Sequence, residues 1–341
     1  MARNIDQSCT GLFHKKDVID TRKIQITGKS TFIVTLPKKW VMNSKLGAGA
    51  EVGFSYQDDG SVLLIPPGFR KEHLAKKISA DRNIENIERD IRALYVLGNY
   101  HTIEIQGTEI TTDKKERIKN LCKQLIGFEI VESSFSRIVL QNLLNTGDFT
   151  IEKASKRMFS LVVLMFDDLI NVLNDNDTVL CKELASRALE IDRTYFLVSR
   201  MYTEKMNVKS FSLKDDLTLA QAFYYRLAAE NIDRIGDLIT KIALYFDNQK
   251  TTWDIADSMT ELCSTLRNMF RDSFESIKLV DSELANNIIT HGIELDLMIE
   301  ASREASDLIA NSRMETVLES CSRVRDHILK IAKISIELSH L

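Results

Sequence analysis

Helix breakers are confined to the front of this chain. The three prolines, Pro37, Pro66 and Pro67, all lie in the first fifth of its 341 residues. Of the 13 glycines, only Gly236 and Gly292 lie beyond residue 150. Proline removes a backbone donor and clashes with the preceding helical turn, and a glycine inside a helix costs about 1 kcal/mol relative to alanine. The long stretch behind residue 150 is therefore free to be helical throughout, while the turns must cluster ahead of it. A wholly β chain and an evenly mixed α/β chain are both excluded. With 44% hydrophobic and 28% charged residues, the composition also excludes a disordered or fibrous protein.

Charge is also unevenly distributed along the chain. Residues 1–75 carry 11 Lys/Arg and 7 Asp/Glu, so a basic front precedes an acidic remainder in a chain of net charge −4. Six basic residues and no acid fall between Arg22 and Lys45. Such asymmetry points to different partners for the two parts. The five cysteines, Cys9, Cys122, Cys181, Cys263 and Cys321, form no C-x-x-C pair, and an odd number suits no secreted disulfide framework. The longest apolar run, Leu161 to Phe166, is far short of the ~20 residues of a spanning helix. These features imply a cytoplasmic protein with no membrane insertion.

The front reads as short strands. Residues 22–27 alternate, with Ile24 and Ile26 on one face. A turn at Gly28-Lys29-Ser30 leads to a strand over 31–36, which Pro37 stops. A short helix over 38–42 follows, then strands over 52–56 and 62–65 joined by the turn signal Asp58-Asp59-Gly60. A unit this small cannot bury much core alone, which implies pairing with another chain. Residues 71–149 then mix types. Ile84, Ile87, Ile91, Leu94 and Tyr95 keep helical spacing up to Gly98. A strand covers 102–105. Asp113 and Glu116 have capping-box spacing for a helix through Ile126. Strands over 128–131 and 137–143 complete a small α/β linker domain.

From Thr150 onward six long helices are expected, over 152–174, 176–206, 213–247, 252–278, 281–309 and 313–339. They repeat. A shift of 104 residues places Met165-Phe166-x-Asp168 on Met269-Phe270-x-Asp272, and Asp192 on Asp296. For the third helix a shift of 89 places Arg234 on Arg323, Asp237 on Asp326 and Lys241-Ile242-Ala243 on Lys330-Ile331-Ala332. The body is two copies of a three-helix unit, and the difference in shift falls in a connection that tolerates it.

The repeated apolar residues are core. The repeated acids admit two readings. They are surface residues or partners of nearby Arg and Lys, or they are a carboxylate cluster neutralised by hard cations such as Mg, Mn, Ca or iron. Asp233-Arg234-Ile235-Gly236-Asp237 puts two carboxylates one turn apart on one helix face. The mid-helix Gly236 calls for a close helix approach or room for ligands. The second copy has Ser322 and Asp326 on that face, so a site there is weaker or vestigial. No Gly-rich phosphate loop, G-x-S-x-G or paired metal-protease histidines are present, so the chain does not read as an enzyme.

The two repeats, with Asp233-Arg234-Ile235-Gly236-Asp237 followed by Ile242-Ala243, resemble the PhoU (phosphate-uptake regulator) family over residues 150–341. The resemblance is strong in the first repeat and degraded in the second, where Ser322 replaces the first acid and Arg325 the glycine. It implies multinuclear iron or zinc bound by acidic motifs, with candidate ligands Asp168, Asp192, Asp233 and Asp237, then Asp272, Asp296 and Asp326. The front carries Arg22-Lys23-Ile24, Gly28-x-Ser30, Thr35-Leu36-Pro37-Lys38 and Gly47-Ala48-Gly49-Ala50-Glu51-Val52. That text resembles the AbrB/MazE/SpoVT swapped-hairpin family, although Ala50-Glu51 stands where an Asp is usual. This second resemblance implies a homodimer of interleaved hairpins and DNA contact through Arg22, Lys23, Lys29, Lys38 and Lys39. The combination is similar to archaeal phosphate-uptake regulators.

The expected protein is thus multidomain and mainly α. A swapped-hairpin β domain (20–68) precedes the α/β linker domain (71–149) and two tandem three-helix PhoU-like bundles (150–248 and 250–341). Two functions fit the resemblances. In one, the head binds DNA and the metal-binding bundles relay phosphate status. In the other, the head only dimerises, and the body restrains a phosphate ABC transporter ATPase or a signalling protein by direct contact.

Overall fold

The computed structural model describes residues 21–28, 30–56, 60–67, 74–144, 149–175, 178–206, 217–246, 253–307 and 312–341. Lys29, Cys9 and the Asp58-Asp59 part of the expected turn lie outside them. The chain forms two compact units, Met1–Lys71 and Glu72–Leu341.

In the first unit, β1 (Gln25–Thr27) and β2 (Thr31–Ile33) pair antiparallel, with Gln25 opposite Ile33. Helix α1 (Lys38–Asn43) starts after Pro37. A second antiparallel hairpin, β3 (Gly53–Tyr56) with β4 (Val62–Ile65), follows. The four strands form two separate two-stranded sheets, which refines the expected four-strand unit. None of the described residues of this unit is buried. Phe32 and Phe54 stay 69% and 61% exposed. Two isolated hairpins lack the second layer that a stable sheet requires.

The second unit begins with a mixed sheet in the order β5-β6-β8-β7. Strand β5 (Leu74–Ser79) runs parallel to β6 (Tyr100–Gln106), with helix α2 (Ile84–Leu97) as the crossover. Helix α3 (Thr112–Gln124) leads to the hairpin of β7 (Phe128–Ser133) and β8 (Arg137–Asn142). The five α2 residues with helical spacing are those it buries, and Gly98 ends it in the left-handed conformation at φ 68°. Strand β5 was not expected from the sequence. Only Ile78 of it is buried, and its two lysines suit an edge strand that must resist pairing with other chains. The cap of α3 is Thr111, whose hydroxyl accepts from the Lys114 amide at 3.4 Å, and not Asp113.

Six helices follow: α4 (Ile151–Asp175), α5 (Thr178–Met206), α6 (Leu219–Phe246), α7 (Trp253–Leu279), α8 (Ser282–Asp307) and α9 (Ser312–Leu338). They agree with the six expected helices, with α6 starting six residues later than expected. The two three-helix units share one continuous core. Helix α4 meets α7, and α6 meets α9. Phe159 stacks on Phe274 at 4.1 Å between ring centroids, and Phe166 meets its repeat equivalent Phe270 at 5.9 Å.

Both glycines of the body mark close approaches. A Cβ on Gly236 would lie 3.0 Å from Ile191 of α5, and one on Gly292 would lie 2.9 Å from Leu329 of α9. Phe270 is fully buried at the seam between the repeats. Phe270→Ala is expected to cost about 3–5 kcal/mol in urea unfolding. Because the core is shared, α4–α6 and α7–α9 should still unfold in one transition.

Candidate functional site

Three of the candidate acids of the first repeat come together. Asp192 projects from α5, while Asp233 and Asp237 lie one turn apart on α6. The Asp233 and Asp192 carboxyls lie within hydrogen-bond reach of each other. Asp233 is only 5% exposed. Burial, and then the hydrogen bond and charge of Asp192, raise its pKa to about 8. Asp237 is pushed upward too, by burial and then by Asp192. Arg234, 3.7 Å from Asp237 and mostly solvated, opposes both shifts. Gly236 lets α6 approach α5 closely enough for the two carboxyls to meet.

Asp168 does not join this group. Its carboxylate pairs with Arg187 of α5 at 3.1 Å, and Arg187 also reaches Glu183 at 3.5 Å. The reading of repeated acids as partners of nearby arginines thus holds for Asp168. Among the described residues, no three His, Cys, Asp or Glu side chains are grouped so as to hold a metal ion. The Asp192–Asp233 pair is still chemically suited to a hard cation. It offers oxygen ligands on two helices, and ionising both carboxyls demands a positive charge between them.

In the second repeat, Asp272 is exposed. Asp296 of α8 and Asp326 of α9 both pair with Arg325, which also donates to Ser322 Oγ at 3.3 Å. In the first unit, Arg22, Lys23, Lys38 and Lys39 are exposed, as a phosphate-binding surface requires.

One buried polar feature escaped the sequence reading. Arg200 of α5, 1% exposed, donates to Glu204 at 3.1 Å and lies over the rings of Tyr95 and Phe128 at 4.9 and 5.4 Å. This ties α5 to the α/β layer. The aligned spacing i, i+4 was visible, but not the aromatic partners that bury it.

The Asp233 shift fixes a sign. The folded protein keeps a proton that the unfolded chain releases near pH 4, so stability falls as pH rises from about 4 to about 8. Asp233→Asn is expected to remove that slope. It should raise metal-free stability at pH 8–9 on the order of 1–3 kcal/mol, read from thermal melts across pH.

Comparisons with known proteins agree with this division of the chain. Residues 155–246 match the family model described as PhoU domain. Residues 25–72 match the model described as antidote-toxin recognition MazE, bacterial antitoxin. No curated protein matches the chain. Among solved structures, PhoU from Pseudomonas aeruginosa is 17% identical, with a TM-score of 0.48 over 56% of this chain and 95% of that one. Among the described residues, no helix is long and apolar enough to cross a membrane. Residues 155–246 are thus similar to the PhoU domain, and residues 25–72 to the MazE antitoxin.

Proposed function

We propose that this protein is a phosphate-responsive regulator whose head binds DNA as a homodimer and whose first helical repeat takes a metal cation. The reading rests on one observation above all: a basic head that buries none of its described residues alone. Ile26, Phe32 and Phe54 find cover when the hairpins of two copies interleave. Two copies also double the exposed cations Arg22, Lys23, Lys38 and Lys39 facing a duplex. Such contacts release counterions, so binding weakens steeply with salt.

In the body, the cation takes the place of the Asp233 proton, with Asp192 and Asp237 beside it. Two or three carboxylates do not complete the shell of a hard cation, so solvent supplies the rest. Iron, zinc, Mg, Mn and Ca all fit these ligands in charge. Phosphate status reaches the head through occupancy of this site or through a protein partner.

A second reading is favoured by Ile293 and Leu297, one turn apart on α8 and 66% and 68% exposed. In it, the body docks on a phosphate ABC transporter ATPase or a signalling protein, and the head only dimerises.

In a gel shift on its own promoter at low salt, the wild type is expected to be retained, and Lys38→Glu with Lys39→Glu to lose retention. No wild-type retention, together with co-purified transporter subunits, would select the second reading. Protein purified without chelator is expected to carry a metal by elemental analysis, and Asp233→Ala with Asp237→Ala to lose most of it. An unchanged metal content would place the ligands elsewhere.

A further inference from the structure

The second repeat answers the charge problem of the first in a different way. The positions equivalent to Asp192, Asp233 and Asp237 are Asp296, Ser322 and Asp326. All three converge on one group, the Arg325 guanidinium. Nη1 pairs with Asp296, and Nη2 donates to Asp326 Oδ1 at 2.7 Å and to Ser322 Oγ at 3.3 Å. Other arginines of the chain also engage two carboxylates, such as Arg187 with Asp168 and Glu183, but none of those sets is the repeat equivalent of Asp192, Asp233 and Asp237. Here a cation sits among three side chains that occupy the repeat-equivalent positions of the acidic cluster.

Arg325 stands where the first repeat has Gly236. The Arg325 side chain is 12% exposed, so its charge depends on these partners. The first repeat has no room for the same solution. A Cβ at Gly236 already meets the end of the Ile191 side chain at 3.0 Å, so a longer side chain would have to displace Ile191.

We propose that Arg325 is a built-in replacement for the cation, closing the second repeat's site so that only the first repeat takes a free metal ion. This rests on the cation reading of the first repeat. A guanidinium stays charged throughout the physiological range and cannot dissociate from the chain. Chelation therefore empties the first repeat and leaves the second unchanged. The loss of an acid at Ser322 follows from the same logic: one guanidinium balances two carboxylates only in part, and a third would leave excess negative charge in a partly buried site.

The test is Mn2+ uptake by the full chain, measured by equilibrium dialysis. In the wild type, Asp233→Asn is expected to abolish uptake and Asp296→Asn to leave it unchanged. Ser322→Asp with Arg325→Ala is expected to raise uptake about twofold, and adding Asp296→Asn should remove the gain. A fall in wild-type uptake on Asp296→Asn would overturn the proposal, as would a folded double variant that gains nothing. If the double variant does not fold, the Asp296→Asn comparison decides. Uptake by the double variant but not by the wild type would sink the first-repeat reading and leave the blocking role of Arg325 standing. Uptake by neither would overturn both.

Discussion

Phe166 and Phe270 are the same residue of two copies of one unit, and they pack against each other. Three helices of 25 to 29 residues cannot cover the apolar stripe of α4 among themselves. Each repeat supplies the missing wall of the other, through α4 against α7 and α6 against α9. The shared core fixes how α5 lies on α6 and how α8 lies on α9. The polar groupings of both repeats then follow from those helix pairs.

On this nearly symmetric frame the two repeats arrange their acids differently: Asp233 is buried, whereas Asp296 and Asp326 are exposed and pair with Arg325. Where α6 has a glycine, the helices close up and Asp233 keeps its proton beside Asp192. Where α9 has an arginine, two carboxylates pair with it. In the second case a guanidinium lies among the acids, whereas in the first the attraction of Arg234 is outweighed by burial and by the neighbouring carboxyls. The family-model match covers the first repeat.

Much of this was legible in the sequence, because helical periodicity over more than 20 residues is a strong signal and an internal repeat supplies its own control. At Gly236 the sequence left a close helix approach and room for ligands both open, and the packing shows the close approach to Ile191. Strand β5 was not, because an edge strand with one buried residue leaves no alternation to read. Nor was the departure of Asp168. Spacing along α4 assigns that residue a face, but only the packing of α5 brings Arg187 within reach of it. The Arg325 partnership lay between the two cases. The substitution was visible as a departure from the motif, while the convergence of three groups on it required the fold.

Helix α5 carries Asp192 toward α6 and, two turns on, sets Arg200 between Tyr95 and Phe128. Residue 150 separates a glycine-containing front from a helical body in composition, but not in packing: Glu72–Leu341 is one compact unit. A chain cut there would leave an arginine–glutamate pair without the rings that cover it. A helical body transplanted without that layer would need an apolar replacement for Arg200 and Glu204 before it could stand alone.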